Sequence, residues 1–98
     1  MKLIQNLSEM IDEEIADAYK YAKCYLEHKD FEPELARTFS MLANEELNHS
    51  NMLHTQVVRI IKQYRDQNGE PPAPMMAVYD FLHKRSIDKA NEVKVMLA

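Results

Sequence analysis

Apolar residues recur along this chain at three- and four-residue intervals almost from end to end, and period-2 alternation is absent. That spacing is the mark of α-helices that bury one face. Breakers are few and grouped: one glycine, and three of four prolines within Pro71-Pro72-Ala73-Pro74. A chain with so few turn signals has few turns, and the pattern predicts an all-α fold of three helices. The first spans about residues 3–28, with Leu7, Ile11, Ala18, Tyr21 or Ala22, and Tyr25 as its apolar series. Lys29 to Glu34 reads as a short turn and a new helix start. Asp30 or Glu32 is the candidate N-cap, Pro33 is tolerated in the first turn, and Glu34 suits the positive helix end. The second helix spans about residues 33–67 and meets a stop at Asn68-Gly69. The proline segment is a semi-rigid spacer, and the third helix covers about residues 75–96.

At 1.5 Å per residue the second helix would be roughly 50 Å long. The other two helices cannot cover all of it, and Leu53, Val57, Ile60 and Ile61 are the positions expected to want a partner. The expectation is a homo-oligomer, at least a dimer.

Polar residues interrupt the expected seams. On the second helix the inward series is Leu35, Phe39, Leu42, Glu46, His49, Leu53 and then Val57 or Gln56. On the first helix a stripe of Leu7, Met10 or Ile11, position 14, Ala18 and Tyr21 carries Glu14, with Asp17 at its edge. A buried carboxylate must be neutralised, paired or bound to a metal. No Lys or Arg lies between Arg37 and Arg59, so within its own helix Glu46 has only His49 as a candidate cation. If the first two helices pair antiparallel about a turn near Phe31, Glu14 and Glu46 lie at equal distances from that turn. Two carboxylates and an imidazole then share one level of the bundle. Glu46-Leu47-Asn48-His49 is a Glu-x-x-His motif, which aims both side chains at one spot on a helix face. Dinuclear carboxylate sites in four-helix bundles take a Glu from each of two helices and a Glu-x-x-His from each of the other two. One copy of this chain supplies half of that set, and two copies would supply all of it.

The segments from Glu14 to Ala22 and from Phe39 to His49 resemble the first two helices of the ferritin-like superfamily. Rubrerythrins are nearest in wording; encapsulated ferritins are nearest in being half-bundles that build their site across a dimer. The resemblance covers about residues 7–65. It implies a ferritin-like antiparallel hairpin with a third C-terminal helix, its four-helix bundle completed by dimerisation. It also implies Glu14 as a terminal ligand, Glu46 as a bridging ligand, His49 as a nitrogen ligand, and Tyr21 beside them. The implied activity is a ferroxidase-type oxidation of Fe(II) by oxygen or peroxide. The third helix does not match the family's second half, and storage in a ferritin-type cage is not expected of so short a subunit.

Other residues compete for roles. Glu13 neighbours Glu14 and would replace it if the helix phase slipped by one residue. Glu45 is a surface residue or a carboxylate on the path to the site, and Asp17 is a hydrogen-bond acceptor for a ligand or a plain helix-face charge. Asp80-Phe81-Leu82-His83 is a second acid-x-x-His pair. It permits a rival site within one chain, although Tyr79, Leu82, Ser86, Ala90 and Val93 make the better inward stripe. His28 and His54 are expected to be interfacial or exposed. The seven methionines sit at core spacing and call for no cofactor.

Composition sets outer bounds. Ninety-eight residues make one domain, and 46% hydrophobic with 29% charged residues is ordinary for a folded chain. A net charge of −4 argues against a nucleic-acid partner. Cys24, alone, cannot close an intrachain disulfide, and no run approaches the roughly 20 apolar residues of a membrane span. The N-terminal segment turns polar too early for a signal peptide, so a cytoplasmic location with no membrane partner is expected. Oxygen-rich ligation with one imidazole suits iron, with manganese or zinc as alternatives. The rival function is a metal-free helical assembly module in which Glu46 and His49 set register.

Overall fold

In a computed structural model, which describes residues 2–98, the chain forms α1 (Lys2–His28), α2 (Pro33–Asn68) and α3 (Ala73–Leu97). Proline and glycine set both ends of α2 and the start of α3. Pro33 opens α2 with its fixed φ, and Glu34 sits in the first turn; Glu32 occupies the N-cap position without a side-chain bond. The backbone N–H groups of Phe31 and Glu32 both reach back to the His28 carbonyl and close the α1–α2 turn. Gly69 ends α2 at φ 81°, a conformation that costs a side-chain-bearing residue dearly, and its N–H bonds the Arg65 carbonyl at 3.0 Å. Arg65 Nε donates to Glu70 across the same end. Pro72 precedes α3, and Pro74 is accommodated in its first turn. No helix among the described residues is long and apolar enough to cross a membrane.

The three helices make a narrow rod of 55 × 19 × 18 Å. α1 and α2 form a closely packed antiparallel hairpin, and α3 returns along α1 while barely meeting α2. α1 is therefore the corner of the bundle. Ile4, Ile11 and Ile15 join Val57 and Ile61 in one buried cluster, and Ala18, Ala22, Leu47 and Val93 form a second. Asp12 fastens α3 to α1: it accepts from Ser86 Oγ at 2.8 Å and pairs with Arg85. One turn on, the Lys89 ammonium lies 4.6 Å from the centre of the Tyr19 ring.

Parts of both seams are shifted from their expected phase, while Ile11, Ala18, Ala22 and Val57 are buried as expected. α2 buries Ala36, Ala43, Leu47, Ser50, Val57 and Ile61, one residue beyond Leu35, Leu42, Glu46 and His49. α1 buries Ile4, Ser8, Ile11, Ile15, Ala18 and Ala22, so Leu7, Glu14 and Tyr21 flank the seam. The cause is the size of the contact residues. Toward the turn the buried positions are Ala18, Ala22, Ala36 and Ala43, small residues that let helix backbones close up and leave the larger side chains at the rim, whereas the far end of the hairpin packs Ile4, Ile11 and Ile15 on Val57 and Ile61. A second correction concerns coverage. Val57 and Ile61 are buried within one chain, because the start of α1 reaches them, while Leu53 and Ile60 are half-buried. α3 follows its expected stripe, with Ser86 and Val93 buried and Tyr79, Leu82 and Ala90 half-buried.

Truncation within this core should be costly. Ile11, 7% exposed, touches the isoleucine–valine cluster, so Ile11→Ala is expected to lose about 2–5 kcal/mol of stability in urea unfolding. Val95→Ala, at a 76% exposed site, should stay within about 0.5 kcal/mol of the parent. Equal losses in the two variants would contradict the packing described.

Candidate metal centre

The α1–α2 hairpin brings Glu14, Glu46 and His49 together on the face away from α3. Each offers a ligand atom, and the three atoms lie within 4.8 Å of one another. His49 Nδ1 is 3.3 Å from Glu14 Oε2 and 3.9 Å from Glu46 Oε2. The motif supplies the pair on α2, and the antiparallel register brings Glu14 to the same height. The cluster is surface-exposed and graded in depth. The Glu46 side chain is 19% exposed, Glu14 30% and His49 52%, so solvent reaches the site from the imidazole side. Two carboxylate oxygens and an imidazole nitrogen in this arrangement can chelate a metal ion, and among the described residues no other such group of three occurs.

Electrostatics at Glu46 reflect the crowding. Its pKa rises from 4.5 to about 7, first through a hydrogen bond with Glu14, then through desolvation and the Glu14 charge. Asp17 raises it further and His49 opposes the rise. Two carboxyl groups this close cannot both ionise freely, so at neutral pH they tend to share a proton. A divalent cation would remove that conflict.

The remaining candidates divide. Glu13 is exposed and lies at the edge of a cavity of about 290 Å³ that Glu14 and His49 also line. Glu14, and not Glu13, belongs to the cluster. Asp17 is exposed and acts on Glu46 through charge. Tyr21 is half-buried and stacks on Phe39 with ring centres 6.4 Å apart, toward the turn end of the hairpin. Glu45 is exposed and outside the cluster. Asp80 is exposed as well, and His83 stacks on His54 with ring centres 4.4 Å apart, so the α3 pair builds no group of three.

His54 and His28 are half-buried rather than free at the surface. His54 Nε2 and the Tyr79 hydroxyl share a hydrogen bond of 3.1 Å, and burial followed by the neighbouring His83 pushes the His54 pKa down. His28 Nδ1 donates to the Cys24 carbonyl at 2.7 Å and its ring tilts against Phe39. The His54–Tyr79–His83 group was not foreseen. The only signal for it in the sequence was the four-residue spacing of Tyr79 and His83, since His54 comes from a different helix.

Linkage fixes the sign of a pH effect. Between pH 4.5 and about 7 the folded chain keeps a Glu46 proton that the unfolded chain has lost. Metal-free stability should therefore fall as pH rises through that window and level off above it, by at most about 3 kcal/mol from this group. Urea unfolding at about pH 5 and about pH 8 tests this, with Glu46→Gln expected to flatten the difference. An unchanged slope in that variant would refute the shared proton.

No family model matches this chain, nor does any curated protein or solved structure. What the cluster can do follows from its own geometry.

Proposed function

We propose that Glu14, Glu46 and His49 bind iron, and that two copies of the chain, joined through the face that carries them, build a carboxylate-bridged dinuclear centre that oxidises Fe(II). The convergence of two carboxylates and one imidazole within 4.8 Å carries the reading. Hard oxygen donors with one nitrogen favour Fe(II) or Mn(II), and zinc fits less well for want of thiolates or further imidazoles. The raised proton affinity of Glu46 supports it too, because the crowding by Glu14 that favours a proton there would equally favour a metal cation, which binds in exchange for the proton.

The half-site needs company. One chain gives three ligands and leaves the cluster open to solvent on its imidazole side. The same face carries Leu35 at 41% and Met10 at 48% exposed, with Leu7, Phe39, Leu42 and Leu53 half-buried. Apolar side chains around a polar half-site are what a two-fold contact would cover. In the pair, Glu46 would bridge the ions, while Glu14 and His49 would complete each one. Two ferrous substrate ions supply two electrons, enough to reduce one peroxide to two waters with uptake of two protons. The protein's part is to hold the ions close together and dry, and to absorb the change in charge. The resemblance to the ferritin-like superfamily belongs to this proposal, as does membership of that superfamily. The fold on which it draws is a three-helix all-α bundle.

Anaerobic Fe(II) loading, read beside the mass by light scattering, tests the proposal. The expectation is one iron per chain in an even-numbered oligomer. Glu46→Ala and His49→Ala should each weaken binding by more than about 100-fold while helicity is kept, since even outer-shell changes cost up to that much. Stoichiometric iron in either variant would sink the assignment. If a Glu46→Leu, His49→Leu double variant assembles as well as the parent and the parent binds no iron, the chain is a helical assembly module instead.

A further inference from the structure

Met76 and Met96 pack against the core as their spacing predicts, but three other methionines do not. Met10, Met41 and Met52 are 48%, 58% and 61% exposed, so none is a core residue of this chain. Two of them stand beside the carboxylate–imidazole cluster. Met10 precedes Glu14 by four residues on α1 and Met52 follows His49 by three on α2, spacings that keep each on its neighbour's helix face. Because the helices are antiparallel, both lie one turn from the cluster in the same direction. They line one cavity of about 290 Å³ with Glu13, Glu14, His49 and Leu53. The Met52 sulfur is partly oriented already, by the Asn48 side-chain amide that donates to it at 3.9 Å.

His49 belongs to the cluster and also lines the cavity that holds both methionines. Its Nδ1 lies against the Glu14 carboxylate, 3.3 Å away. A proton on Nδ1, donated to Glu14, leaves the Nε2 lone pair free. A carboxylate behind the imidazole is the usual outer partner of a metal-bound histidine, fixing its tautomer and raising its basicity. We propose that His49, Met10 and Met52 form a second metal site, an imidazole–dithioether site for a soft monovalent ion, Cu(I) in the cell. Thioether sulfur selects Cu(I) over hard divalent ions, and three neutral donors suit a single positive charge. Glu13 and Glu14 supply negative potential at the rim without entering the coordination. The site uses neither Glu46 nor a second copy of the chain, so it stands apart from the ferrous proposal. The two sites share His49 through opposite nitrogens and should exclude one another.

The test is titration of metal-free protein with Ag(I), a redox-inert stand-in for Cu(I), against a competing chelator. It is run in a Cys24→Ala background, because the Cys24 thiol would otherwise take the ion. Cys24 is about 20 Å along α1 from Met10, so the background leaves the site intact. One Ag(I) per chain is expected. Met10→Leu and Met52→Leu, swaps of nearly equal volume, should each weaken it by more than about tenfold and leave Mn(II) binding unchanged. Glu46→Gln should do the reverse, and His49→Gln should abolish both. In the same Cys24→Ala background with all methionines in place, Ag(I) should shift the ε-methyl resonances of Met10 and Met52 and leave that of Met41 in place. If the methionines serve only to cover a second copy, the leucine variants will keep the parent's mass and silver will shift neither methyl. That result overturns the proposal, as does parental silver affinity in the double leucine variant.

Discussion

Toward the turn, alanines line the hairpin of α1 and α2, and the carboxylate–imidazole cluster sits where this small-residue stretch meets the isoleucine–valine core. Ala18 and Ala22 on one helix and Ala36 and Ala43 on the other are essentially inaccessible to solvent. Ser50, also buried, returns its hydroxyl to the Leu47 carbonyl and so adds no unsatisfied polar group. Side chains this short allow the two backbones to close up. Residues one position away on the helix then meet across the groove at hydrogen-bonding distance. Glu14 and His49 touch for that reason, although neither is buried.

α3 makes the hairpin two-sided. It lies against α1, held by Asp12 with Arg85 and Ser86 and by Lys89 over Tyr19, and it hardly meets α2. The stacked His54 and His83 rings, with Tyr79, span the gap between those two helices. Covering one side of the hairpin leaves the opposite side free, and that side carries the cluster, the cavity beside it and the exposed methionines. On α3, Arg85 and Lys89 are committed to Asp12 and Tyr19 and not to the cluster.

The helices and the metal-capable trio were legible in the sequence, and for separable reasons. Helix ends were marked by Pro33, Gly69 and the proline spacer, whose backbone restrictions act locally whatever the tertiary context. Glu46 and His49 were legible because a three-residue spacing constrains two side chains on one helix without reference to any other. Glu14 followed from the hairpin register. Ile11, Ala18, Ala22, Val57 and the α3 stripe were read correctly, but the first half of α2 was read one residue out of phase, since hydropathy ranks Leu35, Phe39 and Leu42 above Ala36 and Ala43, while helix approach ranks them the other way. The same preference sent Met10 and Met52 to the core when they stand at the rim. The His54–His83 stack lay beyond reach because it joins α2 and α3, whose separation depends on how α1 packs against both.

At the cluster, protons and metal ions compete for one position. Glu46 keeps a proton to about pH 7 because Glu14 is close and water is partly excluded. A divalent ion placed between the carboxylates satisfies the same oxygens and must displace that proton first. Below neutrality the proton has the advantage; above it the site carries two negative charges that only a cation or separation of the helices can relieve. Glu14 links this behaviour to the imidazole, since the carboxylate that crowds Glu46 also accepts from His49. Engaging Glu14 with a hard ion withdraws the carboxylate that lies against His49 Nδ1. A soft ion on the other ring nitrogen, by contrast, strengthens the demand for a negative Glu14. The two classes of ion therefore pull on the same carboxylate in opposite senses, and the occupant of the face is set by how Glu14 is used.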